Sequence, residues 1–228
     1  TFDFYEPLEY GKYVFIPKRI ASYFGFESNR NHAFTFDTTP FFTKFNQEGR
    51  ITYGIYASPK YRFSDKFSLA YAFDYTREKN DIGRIDSNET GIIFTERNRE
   101  IVQNNFTGKY ALNNKMTINL TARYYWSYAD NAKFFTLQDT GYLTPNNDYS
   151  VNKNRNFNSW NFDLSYSWWF APGSEISFLY RNYAEERTNV VEKNLSTNLK
   201  NVFNNNLTNI FSVSVRYFID YNVVKNKF

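Results

Sequence analysis

The chain has 228 residues, 27 Lys and Arg against 23 Asp and Glu, a net charge of +4, one histidine and no cysteine. These counts exclude a disulfide framework, a thiol nucleophile, a cysteine-held metal and any site that needs two histidines, and the scattered excess of base does not form a nucleic-acid footprint. Aromatic residues make up 21% of the chain while the mean hydropathy is −0.64, so strand-forming Phe and Tyr sit in a polar average, with no apolar run long enough for a transmembrane helix.

Taken in chain order, period-two alternation predicts about nine strands, at roughly 19–27, 32–45, 50–63, 66–78, 98–112, 115–129, 156–171, 174–187 and 207–222. The clearest run has Phe67, Leu69, Tyr71, Phe73 and Tyr75 on one face and Ser68, Ala70, Ala72, Asp74 and Thr76 on the other. The strand from Met116 alternates through Leu120, Tyr124, Trp126 and Tyr128, and the one from Trp160 through Phe162, Leu164, Tyr166, Trp168 and Phe170. The 174–187 strand is less regular, since Leu179 falls on the polar side. Near the end, Phe211, Val213, Val215, Tyr217, Ile219 and Tyr221 oppose Ser212, Ser214, Arg216, Phe218 and Asp220. No helix-period segment competes with this pattern.

Short turns are expected at 28–31, 64–65, 113–114 and 172–173, where Asn, Ser, Asp, Pro and Gly cluster. Long connections at about 79–97, 130–155 and 188–206 alternate with them, apart from a short link at 47–49. Short turns on one rim and long loops on the other is the pattern of an outer-membrane barrel with its turns in the periplasm. The expected fold is therefore an all-β, antiparallel transmembrane β-barrel in a bacterial outer membrane, one domain over 1–228. The aromatic faces would overfill a small closed interior, whose core takes only a few layers of side chains. A β-sandwich uses strands of about 5–6 residues, shorter than these. Turned outward into lipid the same side chains have room, and Trp126 with Tyr128, Trp168 with Phe170, and Tyr217 with Tyr221 fit interfacial girdles. Single-chain bacterial barrels have even strand numbers. An odd count implies that N-terminal strands precede Thr1, in keeping with a chain that opens without Met or signal peptide. The terminal Phe228 resembles the closing aromatic that barrel-assembly machinery reads.

Four stretches stand out: Phe2-Asp3-Phe4-Tyr5-Glu6-Pro7, Tyr61-Arg62-Phe63-Ser64-Asp65-Lys66, Arg123-Tyr124-Tyr125-Trp126-Ser127 and Trp169-Phe170-Ala171-Pro172-Gly173-Ser174-Glu175. Together they resemble a Bacteroidota outer-membrane protein family of unknown function. Members of that family carry an N-terminal module similar to family 9 carbohydrate-binding modules, absent from this sequence, followed by a C-terminal barrel. The resemblance implies a sugar-linked role and supplies no catalytic motif.

The candidate site residues are lumen-facing charges: Asp74, Arg123, Asp163, Arg181, Arg216 and Asp220, with Lys60, Arg62, Arg77 and Lys109 beside them. Such charges either set pore selectivity or pair across neighbouring strands to hold the interior. Asp74 and Asp163 have nothing that brings them together as a hydrolytic pair, and no enzymatic activity is expected. Phe134, Phe135, Tyr142 and Tyr149 lie amid Asn and Asp, as in sugar-binding platforms, and equally suit loop packing. Asn146-Asn147-Asp148 offers too few oxygens for calcium, His32 reads as a solvated turn residue, and no metal or cofactor is expected. Expected partners are membrane lipid and lipopolysaccharide, other outer-membrane proteins or lipoproteins, and glycans. Two roles stay open: a pore or surface-binding barrel handling glycans or nutrients, and a non-catalytic accessory subunit of a larger secretion or assembly complex.

Overall fold

A computed structural model describes residues 1–219. In chain order the strands are β1 (Phe2–Asp3), β2 (Val14–Phe15), β3 (Arg19–Tyr23), β4 (Phe26–Glu27), β5 (Phe34–Phe45), β6 (Ile51–Arg62), β7 (Phe67–Asn88), β8 (Gly91–Asn113), β9 (Met116–Leu137), β10 (Leu143–Pro145), β11 (Arg155–Ala171) and β12 (Ser174–Thr188). A helix α1 (Leu195–Asn204) and strand β13 (Thr208–Arg216) complete them. Strands β1 and β2 pair only with each other. All the rest form one antiparallel sheet in the order β13-β12-β11-β9-β8-β7-β6-β5-β3, with β4 beside β5 and β10 folded back on β9. The expected 19–27 strand is thus divided into β3 and β4. The sheet is open: among the described residues no hydrogen bonds join β3 to β13. Asp220, Tyr221 and Phe228 lie outside the described residues.

Register sorts the chain into two faces, because residues directly opposite in an antiparallel pair point the same way. One row runs Lys60–Ala70–Thr107–Thr121–Asp163–Arg181, and the next runs Ala72–Asn105–Arg123–Asn161–Tyr183–Thr208. The opposite face carries Leu69–Gly108–Leu120–Leu164–Tyr180–Phe211 and its neighbours. The polar face is continuous from β5 to β13, and Leu179 is indeed on it, between Ser165 and Ser212.

Three expectations need correction. The connection at 79–97 is almost wholly strand, and that at 130–155 is strand in part. β7 and β8 run on to a tight turn at Glu89-Thr90, and β9 continues to Leu137. Register shifts between Glu78 and Asp81, between Arg84 and Asp86, and between Glu96 and Arg97 break the period of two on which the pattern depends. Second, 188–206 contains a helix. Asn194 caps it by accepting from the Thr197 N–H, and Val202 and Leu199 pack on the sheet. Leu195, Leu199, Val202 and Phe203 stand at i, i+4, i+7 and i+8, a helical period readable in the sequence that the surrounding asparagines mask. Third, Trp126 and Tyr128 are not girdle residues, for they are 1% and 2% exposed beneath α1.

The N-terminal segment lies over the far end of the β7–β8 hairpin. Glu6 accepts from the Arg84 N–H at 3.3 Å, Ser87 donates to Glu9 at 3.0 Å, and Phe15 N–H donates to the Gly141 carbonyl at 2.7 Å. Gly141 has φ +80°, and a Cβ there would stand 2.6 Å from the Tyr13 ring. Both the conformation and the close approach call for glycine.

Candidate functional site

The aromatic face divides along its height. Toward the short turns its side chains are open: Tyr110, Leu164, Trp168, Phe178, Val213 and Val215 are all exposed. Trp168, Phe170 and Tyr217 form an aromatic group at that edge. Further up, the same face turns polar and is covered by α1. There Asn198, fully buried, accepts from Asn156 at 2.8 Å and from Asn158 at 2.9 Å, and it donates to the carbonyls of Glu192 and Asn194. The Trp126 indole donates to Asn156, and the Tyr124 hydroxyl donates to Asn158. Every group in this network has a partner, as burial demands.

Arg77, expected in the lumen, belongs to this covered region. Its side chain donates to Glu100 and Tyr128 on the aromatic face. The parity that places Tyr75 on that face places Arg77 there too.

The polar face distributes the other predicted charges. Arg181 grips Asp163 with two hydrogen bonds, at 2.7 and 2.9 Å, the forked geometry that favours Arg. Asp74 stands opposite Gln103 on a different row, and β8 and β9 separate its strand from that of Asp163, so the two carboxylates do not meet. Arg216 stands opposite Glu175, away from Asp163, and Arg123 is exposed. Neither arginine has a carboxylate within ion-pair distance among the described residues. Lys60 and Arg62 line a cleft of about 300 Å³ near the turns together with Arg30, His32 and Asp37. Lys109 lines a smaller one beside it.

Of the loop aromatics, Tyr149 is buried, packs on Phe134 at 4.9 Å and donates to Asp86 at 2.6 Å. Phe135 packs into the cluster of Val14, Ile92 and Phe94. Tyr142 stacks on Phe15 at 5.2 Å and remains half open. Asn146 caps its own turn by accepting from Asp148 and Tyr149 N–H groups. The hydrogen bond from Tyr149, with Lys153 behind it, holds the Asp86 carboxyl down at about 2, while burial and that same bond push the Tyr149 hydroxyl up.

The largest concavity lies higher on the polar face and involves residues the sequence reading passed over. It is a cleft of about 670 Å³, lined by six basic side chains (Arg84, Arg97, Arg99, Lys153, Arg155 and Arg187) and one carboxylate, Glu185. Its floor is Ser127 and Ala129 of β9, with Tyr125 and Phe157 beside them. Arg97 is paired to Asp81 at 3.0 Å, Arg99 to Glu78 at 2.9 Å and Lys153 to Asp86 at 2.9 Å. Burial pushes the Glu78 carboxyl up in spite of Arg99. Arg187 lies 4.8 Å above the Phe157 ring and 3.8 Å from Glu185. Arg155 is exposed and, among the described residues, has no carboxylate partner. Strand parity could have found part of this cleft, since Arg155 and Phe157 share the phase of Asp163, and Glu185 and Arg187 that of Arg181. Arg97 sat in a stretch read as loop.

These features define a class: an antiparallel β-sheet protein with long strands, one open aromatic face and one polar face bearing a basic cleft. The whole chain, residues 1–228, matches the family described as Domain of unknown function (DUF5916), and the chain belongs to that family. No curated protein matches it.

Proposed function

We propose that this chain forms wall strands of an outer-membrane β-barrel whose polar face lines the lumen, and that the barrel binds or passes glycans or related nutrients at the cell surface. The observation that carries the reading is the sorting of two faces across the sheet from β5 to β13, with open apolar side chains concentrated on one face and exposed aromatics on the other confined to residues such as Tyr23, Tyr56 and Tyr183. An exposed apolar patch of this extent marks a contact surface. On β7 the apolar face runs from Phe67 to Tyr75, half-buried throughout, with Phe73 and Tyr75 packed against the cluster beneath α1. The part below that cluster, Phe67 to Tyr71, is about 14 Å of strand at roughly 3.4 Å per residue. Tilted by about 40°, that is roughly 10 Å, a part of the about 25 Å apolar band of bacterial barrels. Membrane lipid and lipopolysaccharide would then face Leu164, Phe178 and their neighbours. The strands continue well beyond the band and raise the basic cleft above the membrane. The resemblance to a family with a carbohydrate-binding module favours a glycan over other polar solutes.

Purified protein added to planar bilayers tests this. The expected outcome is insertion with conductance that a saccharide reduces. A protein that remains monomeric in water without detergent, or inserts and ignores sugars, rejects the reading.

A second reading, an accessory subunit of a secretion or assembly complex, draws on the two edges β3 and β13, whose free hydrogen-bonding groups invite further strands. It predicts partner barrels or lipoproteins in stoichiometric amounts when the protein is extracted from its own membrane in mild detergent. Elution alone argues for the first reading.

A further inference from the structure

We infer that the upper cleft binds an acidic oligosaccharide, with a uronate-type sugar lying on Tyr125 and Phe157 and its carboxylate held by Arg155 and Arg187. The inference deepens the proposed function and rests on reading the polar face as the ligand-bearing one.

The trough is made by small residues. On β9, Ala129 stands between Arg99 of β8 and Arg155 of β11, directly opposite both. Adjacent strands are about 4.8 Å apart, so these two arginine backbones lie roughly 9–10 Å from each other with only a methyl group between them. One step along β9, Ser127 stands between Ile101 and Phe157 in the same way. Long walls over a short floor leave a slot open to solvent along the sheet.

The slot has the two surfaces an acidic sugar needs. Tyr125 and Phe157, with ring centroids 5.7 Å apart, line the slot. The Phe157 face under Arg187 is occupied in the unliganded chain, so the apolar side of a pyranose meets Tyr125 first and gains Phe157 when Arg187 swings onto the sugar carboxylate. Arg187 stands directly opposite Phe157 in register, and its guanidinium is already stacked over that ring. A guanidinium takes a planar carboxylate in a bidentate fork.

The charge is available. Arg97, Arg99 and Lys153 are committed to carboxylates behind the slot, whereas Arg155 has none among the described residues and Arg187 has only Glu185 at 3.8 Å. Both members of that last pair are exposed, and such a pair is worth little, so a ligand carboxylate displaces it readily. A neutral sugar would leave Arg155 unused, and a bare inorganic anion would leave the aromatic floor unused. The combination selects a ligand with both features.

Titration calorimetry of the full chain in mild detergent, with a galacturonate trimer and its fully methyl-esterified form as probes, tests the inference. The expected result is at least tenfold tighter binding of the acid than of the ester. Arg155→Gln with Arg187→Gln should remove that preference, and Phe157→Ala should weaken both probes. Ala129→Leu, which fills the slot without touching a charge, should weaken both as well. Lys60→Gln with Arg62→Gln, in the cleft near the turns, should change nothing. Equal affinity for acid and ester, full binding by the Arg155/Arg187 variant, or equal loss in the Lys60/Arg62 variant overturns the inference. The membrane reading fails separately. A protein whose bilayer conductance is reduced by neutral saccharides but that ignores the trimer removes the cleft assignment alone. A protein that binds the trimer but stays soluble without detergent sustains the cleft assignment and removes the barrel.

Discussion

The lower and upper halves of the aromatic face are built on the same strands, yet they bury opposite things. Below, Leu164, Trp168 and Phe178 stand open, and no part of the described chain covers them. Above, Tyr124, Trp126 and Tyr128 are covered beneath α1, the first two donating to a network of three buried asparagines and Tyr128 donating to Glu100. A folded chain that spends a helix covering one half while leaving large aromatics bare on the other has two different surroundings to satisfy. In the proposed barrel, membrane would meet the lower half and water the upper half.

The comparison is broken most directly by a charge in each half. Leu164→Arg, in the open band, should cost about 2–4 kcal/mol of stability in bilayers, the range for Arg near a barrel's midplane, read from denaturant unfolding in lipid vesicles. Val190→Arg, at a residue that is 76% exposed in the connection leading to α1, should stay within about 0.5 kcal/mol, as an ordinary surface change does. Equal small effects would remove lipid from the argument. Next in size, Asn198→Leu leaves the Asn156 amide donor without its acceptor while Asn158 keeps Glu186, at about 1–3 kcal/mol for an unmet buried group. The tryptophan fluorescence transition should move to lower denaturant, and an unmoved midpoint would mean that α1 is not held by this network. The smallest effect concerns acid. Since Asp86 is held at about 2, below its ordinary value of about 3.9, its pairing stabilises the upper hairpin fully above pH about 4 and is lost as pH falls toward 2. In Tyr149→Phe the carboxyl should rise toward its ordinary value, and amide-exchange protection at 86–94 should fade at a higher pH than in the parent protein.

The same division explains what the sequence could disclose. In the band, one face must be apolar and the other polar, so 67–76 and 160–170 alternate cleanly and nine strands in an antiparallel sheet could be read in advance. Above it both faces meet polar surroundings, so Arg84, Arg97 and Asp81 alternate with nothing, and the register shifts blur what phase remains. Arg77 is the exception, since its phase was readable and was overlooked. The Asn156–Asn158–Asn198 network joins β11 to a helix 40 residues away. No local period encodes it, because asparagine is as much at home in a loop. The basic cleft is hidden for a related reason: Arg99, Arg155 and Arg187 come from three strands, and only register brings them around Ala129.

The helix laid against the outside of the wall has a consequence for position. In the barrel reading, α1 occupies the place acyl chains would take, and its asparagine network cannot be traded for hydrocarbon without stranding polar groups. The protein therefore carries its own waterline. A thinner bilayer would be thickened locally up to this mark or met by tilting the strands, and a thicker one would be thinned down to it, with the height of the basic cleft above the surface set by the protein and not by the lipid.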